Sequence, residues 1–389
     1  MPDRPNILFV FTDQQRPDWL EMNPEIPVRT PNLKALADRG VWFSNAVCPT
    51  PLCAPCRSCL VSGNEYDRSG VLDNSMPYDF EQTPYHLRLR DEAGYNVMGC
   101  GKFHVGGNTH EDGEFFWGLD GRADAERWGF TDTLFNAGKN QSSIIARKKN
   151  APGDLYLNYL DSEGVMWDHI NDYRQRSDSD VWTATFPTSL TDEQYFDSWI
   201  TRNGLTMLDQ APTDQPWYLE VHYQNPHHPW DITESMHKLY RDPPVDFPQP
   251  EHSDLDVPAE IHTEVRRNFA AMLEHLDDCV GQLIQRIESR GELDNTVIVF
   301  SSDHGEMLGD YSQWQKLSPL QASLGVPLVI AGAGIASQDE VKDPVTTLDL
   351  HASFLEWAGL KPSAEIDSRS MTSYLAGETD THRNVVFQD

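Results

Sequence analysis

Residues 6–12, Asn-Ile-Leu-Phe-Val-Phe-Thr, form an unbroken apolar run of strand length. A strand with no polar alternate face is one buried on both sides, the condition of a parallel sheet covered by helices. Four more runs repeat the pattern, at Tyr95–Gly99, Trp217–Val221, Thr296–Phe300 and Val326–Ile330. Helical periods lie between them. Residues 30–40 read as a capped helix, with Thr30 as N-cap, Pro31 at the first helical position and Gly40 as the stop. From Glu264 to Arg290, Phe269, Met272, Leu273, Leu276, Val280, Leu283, Ile284 and Ile287 recur at helical spacing. Strands alternating with helices predict an α/β fold, a large mainly parallel sheet sandwiched between helices.

Two stretches break the alternation. Residues 120–192 are polar and weakly periodic and read as an excursion from the sheet near the mouth of a site. Pro243 to Pro258, rich in proline and acid, reads as a surface loop. No apolar run approaches the ~20 residues that span a bilayer. The first residues lack a secretory apolar segment, so the expected location of the chain as given is cytoplasmic, or periplasmic or secreted if a leader has been removed. The net charge of −31 disfavours nucleic acid and anionic membranes as partners, because the long-range field repels phosphate. An anionic substrate must be drawn in by a local cluster of cations or by a metal.

Cysteine spacing supplies the first chemical signal. Cys48, Cys53, Cys56 and Cys59 run C-x4-C-x2-C-x2-C, close to a spacing that holds an iron–sulfur cluster. The same segment supports a different reading. Pro55 suits the first turn of a helix running to Val61-Ser62, with Gly63 as its stop. Cys53 then sits at a helix N-terminus, where unpaired N–H groups favour an anion, and Arg57 follows one turn later on the same face. A cysteine so placed is a candidate nucleophile. Spacing alone does not choose between the two.

The ends of the strands supply the second. Asp13 follows the first run, and Asp303-His304-Gly305 follows the Thr296 run. In an open α/β sheet, ligands collect beyond the carboxyl ends of strands, so these distant positions can converge. With Gln14 and His304 beside them, they suggest oxygen-rich coordination of a hard divalent cation. Gly101-Lys102-Phe103-His104, Asn225-Pro226-His227-His228-Pro229 and Trp314-Gln315-Lys316 also follow strand-like runs. Singly, each has a bland reading as a surface lysine or a packed histidine, as do His222 and His228.

Together the ordered series Asp13, Cys53-Ala54-Pro55-Cys56-Arg57, Lys102-Phe103-His104, Pro226-His227-His228-Pro229, Asp303-His304-Gly305 and Lys316 resembles the type I sulfatases. These are formylglycine-dependent members of the alkaline-phosphatase-like superfamily. The resemblance runs from about residue 5 to at least residue 335 and implies a catalytic domain over residues 1–370. It implies that residues 371–389 begin a small antiparallel C-terminal subdomain, abridged or absent here. Cys53 resembles the residue that a formylglycine-generating enzyme oxidises to formylglycine, whose hydrate is nucleophile and metal ligand. Asp13, Gln14, Asp303 and His304 resemble the remaining ligands of calcium, with magnesium or manganese as alternatives. Arg57 and Lys102 resemble the groups that hold the hydrate, and His104 the base that helps expel sulfate. Lys102, His227 and Lys316 resemble groups that grip the sulfate. Asn74 either faces the substrate or caps a loop.

The implied reaction is hydrolysis of a sulfate ester. Eleven Trp and thirteen Tyr, some within residues 115–200, point to a carbohydrate sulfate. Gln14, where many sulfatases have Asp, and His304, where they have Asn, also occur in the phosphonate monoester hydrolase and choline-sulfatase branches. A phosphonate monoester or phosphodiester hydrolase is therefore the alternative. An iron–sulfur or zinc protein using Cys48, Cys53, Cys56 and Cys59 is the third reading. Otherwise Cys48, Cys56, Cys59, Cys100 and Cys279 are buried small apolar residues. The oligomeric state is not legible in the sequence.

Overall fold

The first apolar run folds as β1 (Asn6–Asp13), and every residue in it is buried. In a computed structural model, which describes residues 4–107, 117–338 and 340–386, β1 lies inside an eight-stranded sheet. The other strands are β2 (Gly40–Phe43), β3 (Asn96–Gly101), β4 (Asp132–Phe135), β5 (Trp217–Pro226), β6 (Thr296–Ser302), β7 (Leu328–Gly332) and β8 (Glu340–Val341). Their spatial order is β4-β3-β5-β1-β6-β7-β2-β8. From β4 to β6 all neighbours are parallel. β7 runs antiparallel to both β6 and β2, and β8 is parallel to β2.

The alternation of side chains explains the unbroken runs. Leu8 and Val10 of β1 point into one core with Leu219, Val221, Ile298 and Phe300. The helices over that face include α1 (Pro31–Asp38), α4 (Leu155–Ser162), α5 (Met166–Ser179), α6 (Phe196–Gln210) and α7 (Ala259–Ser289). Ile7, Phe9 and Phe11 point the opposite way, into a second core with Val297, Val299, α2 (Cys53–Ser62) and α8 (Leu350–Trp357). Each such side chain contributes roughly 1.5–3 kcal/mol when fully buried, so residues 7–11 of β1, covered on both faces, show no polar alternate.

Helix boundaries differ from expectation where tertiary contacts replace local ones. The Thr30 hydroxyl does not cap α1; it accepts from Glu21 N. The free N–H groups of Asn32 and Leu33 are received instead by the carboxylate of Asp277 on α7, at 2.9 and 2.7 Å. Gly40 is not a helix stop. It opens β2, where a Cβ would stand 2.3 Å from the Ile330 carbonyl oxygen of β7. Gly63 does end α2 as expected, in the left-handed region at φ 76°.

The stretch 120–192 is not an excursion away from the sheet. It contributes β4, paired with β3, and then α3 (Lys139–Lys149), α4 and α5. Tyr156, Leu157, Leu160, Met166 and Ile170 join the first core. These elements are short and half-covered, so their apolar positions are too few to set a period. Pro243–Pro258 runs mostly as turn and irregular chain. Residues 371–386 pack on the same body, with Met371, Tyr374 and Leu375 in the second core; residues 387–389 of the expected C-terminal segment lie outside the described residues. No described helix is long and apolar enough to cross a membrane.

Candidate active site

The strand ends converge. Asp13 closes β1, Asp303 and His304 follow β6, Lys102 follows β3, and His227 follows β5. Cys53 is the first residue of α2, pointing toward the same spot. One ligand atom from each of Asp13, Cys53, Asp303 and His304 lies within 4.8 Å of the others, and all four residues are buried. Cys53 Sγ is 3.2 Å from His304 Nε2 and 3.9 Å from Asp13 Oδ1. Gln14 turns its side-chain oxygen to the same centre, where Lys316 Nζ donates to it at 2.8 Å. Two carboxylates, an amide oxygen and an imidazole, all buried, suit a divalent cation, with position 53 beside it.

Cations ring this group. Lys102 Nζ donates to the Asp13 carboxylate. Arg57 Nε donates to Asp303 Oδ2 at 3.0 Å, with Nη2 2.9 Å from the same oxygen. Lys316 Nζ donates to Cys53 Sγ at 3.1 Å and stands 3.3 Å from His227 Nε2. Among the described residues the Arg57 guanidinium makes its hydrogen bonds to Asp303, the Lys102 carbonyl and His222, whereas Lys316 donates to Cys53 Sγ directly. The local charge decides the protonation of these groups. Burial alone would raise the Cys53 thiol, but Lys102 and Lys316 outweigh it and hold it well below its usual value. Burial likewise opposes ionisation of Asp13, and Lys102, His227, Lys316 and Arg57 overcome it. For Lys316, burial works against the charged form, and Cys53, Asp13 and Asp303 raise it above its usual value. Burial keeps His104 below its usual value, against the pull of Cys53.

A cavity of about 260 Å³ opens over the group, lined by Cys53, Asn74, Lys102, His104, Gly138, Lys139, Asn140, Gln141, Gln224, His227 and Lys316. The structure places Cys53, Asn74, Lys102, His104, His227 and Lys316 at this cavity, with Asp13, Gln14, Asp303, His304 and Arg57 in buried contact with them. Asn74 caps the start of α2, not its own loop, and stands at the cavity edge. Leu52, which precedes α2, supplies no side-chain cap, and Asn74 Oδ1 accepts from Ala54 N at 3.0 Å while the residue borders the cavity.

Lys139, Asn140, Gln141 and Gln224 went unnoticed in the sequence. The first three open α3 just after β4, so the strand-end rule that found Asp13 reaches them once β4 is recognised. Lys139 is committed elsewhere, to Asn225 and Asp231. Gln224 is committed too, to the Ala137 carbonyl and Lys139 N.

The four-cysteine reading fails on geometry. Cys48 and Cys56 lie in the second core, and among the described residues the four thiols form no common ligand group. Among the described residues, Cys53 is the cysteine that joins a potential metal group. Burial raises the thiols of Cys56 and Cys59, the opposite of a ligand's need.

The Sulfatase family model matches residues 5–360. The chain belongs to the sulfatase family. This sulfatase is 29% identical to the choline-sulfatase of Rhizobium meliloti (strain 1021), over 92% of its own length and 68% of that relative's. Its fold is shared by a phosphonate monoester hydrolase from Silicibacter pomeroyi, with a TM-score of 0.77 at 21% identity, covering 97% of this chain and 77% of that one. It is shared also by a protein solved in complex with its substrate D-glucosamine-2-N,6-O-disulfate, with a TM-score of 0.73 at 18% identity, covering 97% and 81%. The sulfatase is a sulfuric ester hydrolase. Its sheet, flanked by helices, is the alkaline-phosphatase-like one, and its family generally uses a metal and formylglycine.

Proposed function

We propose that this sulfatase cleaves the sulfate ester of a carbohydrate, with formylglycine formed from Cys53 and calcium held by Asp13, Gln14, Asp303, His304 and residue 53. Magnesium or manganese suits the same oxygen donors. A formylglycine-generating enzyme is then required for maturation. The observation that carries the reading is the meeting of the ligand group with Lys102, His104, His227 and Lys316 around position 53. The modified residue supplies a nucleophile, and the cation supplies positive charge for sulfate oxygens.

The remaining work falls to side chains of this chain. His227 Nδ1 donates to the His228 carbonyl at 2.5 Å, so Nε2 carries the lone pair that faces Lys316. Lys316, kept charged by its neighbours, donates to the ester oxygen that leaves. His104, kept neutral by burial, accepts a proton beside position 53. Lys102 and Arg57 neutralise Asp13 and Asp303 and fix where they point.

The cavity wall favours an uncharged, hydroxyl-bearing alcohol. Its side chains are amides, lysines and histidines, with Asn140 and Gln141 making no side-chain hydrogen bond among the described residues. A quaternary ammonium, such as choline's, calls for aromatic faces or carboxylates, and among the described residues neither lines this wall. The relative solved with a disulfated glucosamine supports the sugar class.

Asp13-Gln14 and Asp303-His304 favour a second reading, hydrolysis of a phosphonate monoester or phosphodiester, in line with the fold neighbour that bears that activity in its name. Lys102 and His104 speak for the sulfate. Two measurements test the ranking. Mass spectrometry of the peptide carrying position 53 from active enzyme is expected to find the aldehyde or its hydrate; an intact thiol with full activity overturns the mechanism. Turnover of an aryl sulfate is expected to exceed that of an aryl phosphonate monoester by orders of magnitude, and the reverse order makes the second reading the correct one.

A further inference from the structure

Beneath the site lies a chain of buried polar groups that the reaction as described leaves without a task. Glu220 and His222 sit on β5, two residues apart on one face, at 1% and 4% exposure. His222 Nε2 is 2.9 Å from Glu220 Oε1, an ion-pair contact, and neither atom makes a hydrogen bond among the described residues. On its other edge, His222 Nδ1 is 2.9 Å from Arg57 Nη1. Arginine keeps all its protons, so the guanidinium donates and Nδ1 accepts. The imidazole proton therefore resides on Nε2, facing Glu220. Each neighbour demands the same tautomer.

The contact closes a ring around Lys102. Arg57 Nη1 also donates to the Lys102 carbonyl at 2.9 Å, and Lys102 N donates to the His222 carbonyl at 3.1 Å. The approach is tight: at Gly101 a Cβ would stand 1.9 Å from that carbonyl oxygen, and φ is 90°, so only glycine fits. His222 thus braces two things, by its backbone the segment that carries Lys102, and by its ring the guanidinium that grips Asp303.

Glu220 anchors the far end. Its Oε2 accepts from His86 Nε2 at 2.8 Å, Tyr218 OH at 3.0 Å and Tyr85 OH at 3.2 Å. Around His222 stand the rings of Phe9, Phe11 and Phe103. A carboxylate among aromatic rings is costly, and apolar residues of similar size would serve the core at least as well. Stability alone gives no reason for it. Among the described residues, its line of polar contacts to the catalytic centre runs through His222 and Arg57.

Building on the sulfatase reading above, we propose that His222, oriented by Glu220, is a positioning residue that holds Arg57 so that Asp303 and Lys102 are set for the cation and the sulfate. Groups that orient ligands from behind typically cost about 10–100-fold in metal affinity or activity when removed.

The test uses the full chain with calcium and 4-nitrophenyl sulfate. His222→Leu is expected to lower kcat and weaken calcium binding in calorimetry, each about 10–100-fold, with KM changed far less. His222→Asn carries an oxygen near the Nδ1 position and is expected to restore most of both. Glu220→Gln, which keeps an acceptor for Nε2, is expected to fall between them. Circular dichroism of each variant reports folding; should His222→Leu fail to fold, the Asn and Gln variants decide alone, the role requiring the Asn variant to lie closer to wild type. Retention of kcat and calcium affinity within twofold in His222→Leu overturns the role, as does a His222→Asn variant no better than Leu. If wild type turns over no sulfate ester, the sulfatase mechanism fails, while the ratio of calcium affinities still judges the positioning role. A wild type that binds no divalent cation overturns both.

Discussion

On the floor of the cavity, Asp13, Asp303 and His304 are 0% exposed and Cys53 is 3% exposed, each fixed at a strand end or the start of a helix. On its wall, Asn74 is exposed and Asn140 and Gln141 are half-buried, set on a loop and on the first turn of α3. The floor is held by the central sheet, where β1 and β6 pair over seven residues and neither can shift without moving two cores. Asn74, Asn140 and Gln141 lie off the central strands, the last two at the start of α3 after the edge strand β4. Reaction chemistry belongs where positions cannot drift, and substrate choice belongs where they can change without unfolding the protein.

The contrast breaks first at position 53. Cys53→Ala is expected to abolish aryl sulfate turnover, by about 10⁴-fold or more, because the nucleophile is gone. Thermal unfolding checks that the fold survives, since the change removes a single sulfur. A residual rate within tenfold of wild type would move the chemistry off the floor. Asp303→Asn is next. It removes a charge from the ligand group and the acceptor of Arg57, and is expected to weaken calcium binding by about 100-fold or more, beyond what loss of a supporting contact does. Calorimetric titration with calcium measures it, and unchanged affinity would mean that the ion is held elsewhere.

The same contrast explains what could be read from sequence. Asp13, Asp303 and His304 announced themselves because they end runs whose apolar character only a doubly covered sheet requires. Cys53 and Arg57 stood out because a proline and a glycine mark both ends of α2. The Thr30 cap and the Gly40 stop were misread for one reason: the contacts that decide them come from Asp277 and Ile330, hundreds of residues away in sequence. The wall was hidden because β4 has four residues and only half of them are buried, too short a pattern to mark a strand end before Lys139. Glu220 and His222 did leave a signal, charged types at alternate positions in the otherwise apolar run Trp217–Tyr223. Such an alternation puts both on one face of a buried strand, where an isolated charge needs a partner.

Substitutions on the wall should act on binding. Asn140→Ala and Gln141→Ala are each expected to raise KM for a sulfated monosaccharide about 3–10-fold with little change in kcat on that substrate, the loss of one neutral hydrogen bond. Steady-state kinetics across sulfated sugars checks this. A fall in kcat with KM constant would make these amides part of the chemistry and erase the distinction between wall and floor.

The smallest expected effect compares carboxylates on the two sides. Asp13 is held ionised by the surrounding cations, which prevail over its burial. Asp154, behind the wall, is equally buried, but among the described residues no cation faces it, and burial pushes it up to about 6 despite hydrogen bonds from Leu157 N and Ala137 N. Those bonds start α4 and hold the chain two residues before Lys139. A carboxyl whose folded pKa exceeds its unfolded one favours the fold while protonated, so its contribution is present at acid pH and lost as pH rises through about 6. Asp154→Asn removes the titration and, at all pH values, one acceptor. The Tm of wild type minus that of Asp154→Asn should therefore shrink as pH is raised from about 4 to about 7. A difference that grows over this range would mean that the ionised form is the one the wall requires, and that its backbone donors outweigh burial much as the cations do on the floor.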